Sequence, residues 1–342
     1  MLLLTREQFK EQTFKRDKHK CVVCGATADL AAHHILERRL FDDGGYYVEN
    51  GATVCPEHHL AAEMTTISVK TLRELCGIVK PVIPEHFYPE DEYDKWGNTI
   101  LASGARLRGE LFEEEPVQKM LELSGFLADF DDRVKYGRTF HATWSPGCAG
   151  DDKMHKQMTQ FHGLETYVTQ KRDGETTAMY TNHFHARSLD SRHHESRDWA
   201  KALWGRIRFD IPEGWRINGE NLYAQHSIGY DDLTSYFEVF SIWDEKNRRL
   251  PLDAQLEWCE ILGLTHVPVI WRGIYDEDAI KALPVTLGWD MDKIEGYVIS
   301  IVDAYHASQF RKYMAKYVRK NHVVTDQHWM DKQIIPNKLK SN

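Results

Sequence analysis

Two short stretches near the start of the chain have their chemistry set by spacing: Cys21-Val22-Val23-Cys24-Gly25 and Cys55-Pro56-Glu57-His58. Two thiolates on a tight turn reach one tetrahedral ion, and the second pair repeats that spacing with histidine last. Cys21, Cys24, Cys55 and His58 therefore form a Cys3His set whose ligand types suit a closed, structural Zn²⁺. Between the pairs lie His33-His34-Ile35-Leu36 and Asn50-Gly51, and His59 follows the last ligand. Far downstream stands Thr169-Gln170-Lys171-Arg172-Asp173-Gly174-Glu175. By itself its Asp-Gly reads as a β-turn. It is followed in order by His185-Ala186-Arg187-Ser188, Gly219-Glu220-Asn221-Leu222-Tyr223, the strand-like run from Tyr236 to Ile242, Glu295-Gly296-Tyr297-Val298-Ile299 and Ala315-Lys316-Tyr317-Val318-Arg319-Lys320.

That ordered series resembles the nucleotidyl-transfer motifs of the ATP-dependent RNA ligase family, in its RNA-editing-ligase-like branch, from about Lys135 to about Trp329. The resemblance implies that Lys171 attacks the α-phosphorus of ATP and leaves as a phosphoramidate. A lysine does this only when neutral, so its ordinary pKa of about 10.4 is expected to be lowered by burial and neighbouring cations. Asp173 would anchor the turn, with a role at a metal left open, and Gly174 would let the backbone approach the nucleotide. The same resemblance gives Arg187 a phosphate contact, Glu220 the adenosine ribose, and Phe240 a stacking face for adenine. Glu295 would lie near the catalytic Mg²⁺ (or Mn²⁺) and the phosphates. Lys316 would neutralise the α-phosphate, with Arg319 and Lys320 as second cations. The chain departs from the family pattern at Gln170, where glutamate is usual, at Arg172, where an apolar residue is common, and at Ser241, where aspartate is frequent.

The N-terminal histidines and asparagine resemble the HNH endonuclease family, whose ββα-metal finger wraps a hairpin and a helix around one divalent ion. By position, His34 would be the general base on water, His33 and His59 the ligands of a catalytic divalent ion, and Asn50 the brace of the hairpin that orients His34. Most members complete the zinc knuckle with cysteine where His58 stands, so an exchange of roles between His58 and His59 stays open. So does the choice between a finger that cuts nucleic acid and one that docks on it.

These residues need elements to carry them. Residues 5–19 read as a short helix leading into the first knuckle, and Leu60 to Met64 as the helix of the finger. Ser68 to Cys76 has helical periodicity with a serine cap, and Gly77 and Pro81 stop it. Residues 116–130 read as one amphipathic helix. In the remainder, Glu165 to Thr169 is a β-branched strand that would lift Lys171 to a pocket edge, and the segments 196–208 and 252–262 are the clearest helices. Trp144-Ser145-Pro146-Gly147 with Asp151-Asp152 is either a surface turn or, by the ligase resemblance, a wall of the nucleotide pocket. Arg192, His193, His194 and Arg197 are either an exposed helix cap or a phosphate-docking surface. The expected fold class is α+β: a ββα-metal finger, then a nucleotidyltransferase domain of antiparallel sheets with flanking helices. The expected divisions are 1–84 for the zinc module, 85–134 for an acidic connecting segment, 135–330 for the ligase domain and 331–342 for a basic tail.

At 342 residues the chain exceeds what one core usually fills, and a hydrophobic fraction of 42% with 10 Trp excludes an extended disordered chain. The 6 Cys, three of them in metal-ligand spacing, suit a reducing compartment better than a disulfide scaffold. The opening Met-Leu-Leu-Leu is cut short by Thr5-Arg6-Glu7, unlike a signal peptide, and no apolar run approaches a membrane span, so a cytoplasmic protein is expected. A net charge of −9 at first opposes a nucleic-acid partner. However, residues 85–132 hold thirteen Asp or Glu against four Lys or Arg, the whole imbalance, while residues 301–342 hold eight Lys or Arg and three Asp. Steering follows the local patch rather than the sum. The combined expectation is an ATP-dependent ligase joining 3′-OH and 5′-phosphate ends of RNA, a nicked duplex or an RNA/DNA junction, with Zn²⁺ in the finger. The rival is a metal-dependent nuclease whose ligase-like half serves as a nucleotide sensor or substrate platform.

Overall fold

Thr5 starts the first helix by a reciprocal cap: its hydroxyl accepts from the Gln8 amide at 3.2 Å while the Gln8 side chain accepts from the Thr5 amide at 3.0 Å. The computed structural model describes residues 2–148, 150, 152–189, 191, 193–290, 292–320 and 334–340. They divide into two compact units, Met1–Val134 and Lys135–Asn342. None of the described helices is long and apolar enough to cross a membrane.

In the first unit, α1 (Arg6–Arg16) precedes an antiparallel hairpin of β1 (Ala31–His34) and β2 (Gly51–Val54), in which His34 faces Gly51 and Ala31 faces Val54. Arg16 ties the helix to the hairpin, donating to the carbonyls of Val48 at 2.6 Å and Gly51 at 2.7 Å. Helix α2 (Pro56–Glu63) follows β2 directly; its first residue is a proline, which lacks the amide a helix start cannot use. Helix α3 (Val69–Leu75) starts on Ser68, whose hydroxyl accepts from the Thr71 amide.

The acidic segment 85–134, expected to connect the two modules, belongs to the first unit. Phe87, Trp96, Leu111, Phe112, Val117 and Leu121 are buried in the same core as Ile35, Leu36, Leu40, Val54 and Leu72. The acidic side chains are numerous, but the apolar ones between them recur often enough to bury a face. Short strands β3 (Glu92–Tyr93), β4 (Thr99–Ile100), β5 (Arg106–Leu107) and β6 (Phe130–Asp131) form a sheet there. Helix α4 (Glu115–Leu123) is shorter than the helix expected over 116–130, because Gly125 takes the left-handed conformation (φ 80°) and ends it.

The second unit holds two sheets. One runs β14 (Val269–Ile274), β7 (Glu165–Lys171), β15 (Gly296–Ile301), β17 (Met314–Val318), antiparallel throughout. The other orders β16 (Tyr305–His306), β12 (Arg248–Arg249), β11 (Phe237–Trp243), β10 (Arg216–Asn221), β8 (Glu175–Met179) and β9 (Phe184–Ala186), with β13 (Thr265–His266) parallel to β11. Strand β7 is central and its residues Thr166 to Thr169 are all buried, so the strand is covered on both faces. Val168, Tyr297, Ile299 and Ala315 of the first sheet share a core with Trp243 and Tyr305 of the second. Helices α5 (Asp198–Ile207) and α6 (Leu252–Leu262) cover the far face of the second sheet, packing Leu203, Ile207, Cys259 and Leu262 on Phe237, Val239 and Ile242. Helix α7 (Glu277–Thr286), capped by Asp276, has no counterpart in the sequence reading. The fold class is mixed α+β, with antiparallel sheets and flanking helices.

Candidate functional site

In the second unit, strand register assembles the site. Lys171 ends β7 opposite Gly296, the first residue of β15, so Glu295 arrives at the same end of the sheet. Both Glu295 oxygens lie 2.7 Å from Lys171 Nζ. Val298 pairs with Lys316 on the next strand, which brings that lysine to the neighbourhood. Gly296 is required here: a Cβ would lie 1.9 Å from the Tyr317 carbonyl oxygen, at φ +156°. From the other sheet, Glu220 Oε1 accepts from the Gly174 amide at 3.1 Å. Gly174 itself packs against the strand carrying Glu220, since its Cβ would meet the Asn221 carbonyl oxygen at 2.5 Å. The close backbone approach it permits is therefore to β10.

The electrostatics depart from the expectation for Lys171. Burial works against its charge, but Glu295, Glu220 and Asp173 outweigh burial and raise its pKa above the ordinary lysine value. The amine is thus held as an ammonium. Burial pushes the Glu220 carboxyl up to about 8, with Lys171 pulling the other way. The depressed lysine of this site is Lys316, lowered by burial and by the Lys171 charge. Lys316 donates to Asp152 Oδ1 at 3.1 Å, and Asp152 Oδ2 lies 3.2 Å from His141 Nε2. Although Asp152 is partly buried, His141 and Lys316 hold its carboxyl well below the usual range. His141 Nδ1 is 2.7 Å from Ser145 Oγ, and the Val318 amide donates to that same oxygen at 2.9 Å. The Trp144–Gly147 stretch is thereby tied to β17, and Trp144 Nε1 donates to Tyr297 Oη at 2.8 Å. Asp151 lies outside the described residues.

Asp173 is an anchor: its Oδ2 accepts from the amides of Ser227 and Ile228, both at 2.8 Å, and its own amide donates to Tyr230 Oη at 3.0 Å. Arg172 forms a two-pronged pair with Glu238, Nε to Oε2 at 2.7 Å and Nη2 to Oε1 at 3.1 Å. The departure from an apolar residue at 172 is matched by a buried carboxylate on β11. Phe240 occupies an irregularity in the β10–β11 register, between Ser241 paired to Asn218 and Val239 paired to Gly219. Phe237 and Val239 pack under the helices, whereas Phe240 is half-buried and meets Tyr136 edge-on at 5.0 Å.

Arg187 is exposed beyond β9 and makes no polar side-chain contact among the described residues. Arg319 is half-buried, with its amide donating to the Glu295 carbonyl and its Nε unpartnered. Lys320 is exposed. In the His193–Arg197 run, Arg197 is buried and committed to Glu175, at 2.7 Å and 2.5 Å, so it does not serve as a docking cation. His193 stays exposed beside Asp198, and Arg192 lies outside the described residues. Of the tail expected over 331–342, the described part packs back on the second unit through Asn337, which is 3% exposed.

The first unit holds two clusters. The ligand atoms of Cys21, Cys24, Cys55 and His58 all lie within 4.8 Å of one another. Cys24 Sγ to Cys55 Sγ is 3.8 Å, the edge of a tetrahedron with metal–sulfur bonds of about 2.3 Å. Although burial opposes it, the backbone amides of Cys24, Cys55 and Val23 lower the Cys21 thiol to about 7, favouring the ligand form. His33, His59 and Glu63 form the second cluster. His58 thus turns to the thiols and His59 away from them. Glu63 is one helical turn beyond His59, a signal available in the sequence as an i,i+4 pair. Both His33 ring nitrogens are buried without a hydrogen-bond partner, and burial with the Lys95 charge keeps the ring neutral, as a metal ligand must be. Burial and Lys95 also lower His34 to about 4, and its ring stacks on Phe9 at 4.4 Å. Asn50 braces the loop after His34, exchanging hydrogen bonds with the Leu36 amide (2.9 Å) and carbonyl (3.0 Å). A cavity of about 720 Å³ opens onto His33, His34, His59, Glu63 and Lys95, with Arg6, Lys10 and Arg38 in its lining.

Residues 164–318 match the family model described as RNA ligase, just under half of the chain. Among solved structures, the chain is similar to a Naegleria gruberi RNA ligase with PPi, at 18% identity over 47% of this chain and 51% of that one, with a TM-score of 0.35. A mutant of the same ligase with ATP and Mn gives 16% identity, 47% and 52% coverage and a TM-score of 0.34. An archaeal ATP-dependent RNA ligase gives 16% identity, 55% and 48% coverage and a TM-score of 0.38. The chain spans about half the length of these structures. No curated protein matches it in sequence.

Proposed function

We propose that the second unit is an ATP-dependent RNA ligase working through a lysyl-AMP intermediate on Lys171. The observation that carries this reading is the convergence of Lys171, Glu295 and Lys316, from one sheet, with Glu220 from the other, on strands far apart in sequence. The match of residues 164–318 to the RNA ligase model spans the same strands and supports it. Lys171 Nζ forms a bond to the α-phosphorus as the bond to the pyrophosphate oxygen breaks, and the amine loses a proton. An RNA 5′-phosphate oxygen then displaces lysine from AMP, and a 3′-hydroxyl displaces AMP to seal the strand.

Lys171 starts charged and held by Glu295, so it reacts only once that pairing is relieved. By motif position Glu295 would lie beside Mg²⁺ or Mn²⁺, and that ion would supply charge neutralisation of the triphosphate. Lys316, aimed by Asp152, stabilises charge developing on the α-phosphate. By motif position Glu220 is assigned the ribose hydroxyls, Phe240 the adenine face, and Arg187 and Arg319 outer phosphate contacts. Incubation with α-labelled ATP and Mg²⁺ tests the reading: a covalent label on the parent that is absent from Lys171→Ala supports it. A parent that takes no label with any divalent metal ends it.

A second reading concerns the first unit, which we assign as an HNH-type module. Its support is the orphaned His33 ring beside His59 and Glu63, at a cavity bordered by neutral His34 and four cations. His33, His59 and Glu63 would hold a divalent ion that stabilises charge on a phosphodiester, His34 would take the water proton, and the Cys3His cluster would hold a structural Zn²⁺. Plasmid nicking by the parent but not by His34→Ala supports cutting; binding without nicking by either leaves a docking module.

A further inference from the structure

Residues Ile334–Lys340 are threaded onto the loop between β10 and β11. The Asn337 side chain accepts from the Tyr230 amide at 2.8 Å and donates to the Leu222 carbonyl at 2.8 Å. Its backbone accepts from Tyr236 Oη at 3.0 Å and donates to the Tyr223 carbonyl at 2.9 Å. On either side, Gln225 donates to the Ile335 carbonyl at 2.8 Å, Lys338 to the Tyr230 carbonyl at 2.9 Å, and Lys340 to the Leu233 carbonyl at 2.8 Å. Asn337 is 3% exposed, so these bonds are shielded from competing water.

The loop they hold has a small core of its own, Leu222, Ile228, Tyr230 and Leu233. It also grips the reactive turn. Tyr230 Oη accepts from the Asp173 amide, and the amides of Ser227 and Ile228 bind the Asp173 carboxylate. The Tyr230 ring lies 5.2 Å from the Arg172 guanidinium. Tyr230 is thus pinned through its backbone by Asn337 and pins, through its hydroxyl, a residue two positions from Lys171.

We propose that the 334–340 segment is a strap that sets the position of the Lys171 turn, with Asn337 and Tyr230 as positioning residues for lysine adenylylation. The proposal rests on the ligase reading of the second unit. Neither residue reaches the reacting atoms. They act by narrowing the range of Lys171 placements, and a small misplacement costs rate rather than binding.

Asn337→Ala and Tyr230→Phe in the full chain test it. At saturating ATP, single-turnover formation of lysyl-AMP falls by on the order of tenfold to a hundredfold in each, with KM for ATP little changed. Sealing of a strand supplied already adenylated, which does not use the Lys171 nucleophile, stays near the parent rate. The double variant is no worse than the poorer single, because both sit on one line of contact. Amide exchange at Ser227 and Ile228 quickens in Asn337→Ala. Tyr230→Phe removes a single hydroxyl and keeps the test open even where Asn337→Ala unfolds. Tyr230→Phe within twofold of the parent overturns the strap, as do additive losses or an equal fall in sealing. A parent that takes no AMP at all refutes the ligase reading instead, and leaves the exchange measurement to judge the strap.

Discussion

Arg172→Met is the substitution with the most to say about how this site is built. Arg172 and Glu238 are nearly enclosed, with side chains 13% and 2% exposed, and are joined at 2.7 and 3.1 Å. Removing the guanidinium leaves a carboxylate without a partner in a dry strand interface, a loss of about 3–5 kcal/mol. For a unit of about 150–250 residues each kcal/mol moves the midpoint by about 2–4 °C, so the second unit should melt about 6–20 °C lower at pH 8. Glu238 is already raised by burial with Arg172 present, and without it the carboxyl rises further. A carboxyl raised in the folded state favours folding below its unfolded pKa, and that support is lost as pH climbs through the folded value. The deficit against the parent should therefore be full at pH 8 and shrink toward pH 5. Replacing both residues by methionine should recover most of the loss, since no charge is then left buried. Differential scanning calorimetry of parent, single and double variants at both pH values decides it. A deficit that is absent at pH 8, or that grows toward acid, refutes the reasoning.

Glu295→Gln removes the anion that holds Lys171 charged, so the alkaline rise of AMP labelling should move to lower pH, read from single-turnover rates across pH 6 to 10. An unmoved profile would mean that Glu295 does not control the amine. Gly296→Ala should disrupt the β15–β17 pairing, because the added carbon meets the Tyr317 carbonyl, costing at least about 1–3 kcal/mol by thermal melting. Cys55→Ser should strip the Cys3His site of zinc, seen by elemental analysis, and expose Trp96 of the first unit, seen as a red-shifted emission. Zinc retained at the parent ratio would place the metal elsewhere.

The legibility of this chain follows the range of the interactions involved. Helix α6 matches the segment expected from periodicity, and the two knuckle spacings are matched by one cluster of donors. Those features are decided within a few residues. Glu63 was within reach as the i,i+4 partner of His59 but carries no family motif here. Asp152 was legible only as a candidate pocket wall, and the roles of Glu238 and Tyr230 were not within reach, because nothing local distinguishes them from surface residues. Tertiary packing makes Asp152 the partner of Lys316 and Glu238 the partner of Arg172. The segment 85–134 read as an acidic connection because its charges are conspicuous, while its contribution to the core depends on which apolar side chains meet.

The order of residue types along the chain thus determined which atoms are available for chemistry: an amine, a set of carboxylates, thiols and imidazoles at fixed spacings. What only the tertiary structure decided is their ionisation and aim. Lys171 is an ammonium because Glu295 and Glu220 are brought against it from other strands, and its turn is placed by Tyr230 and Asn337. Fields and hydrogen bonds depend on distance through space, and that distance exists only once the sheets have paired.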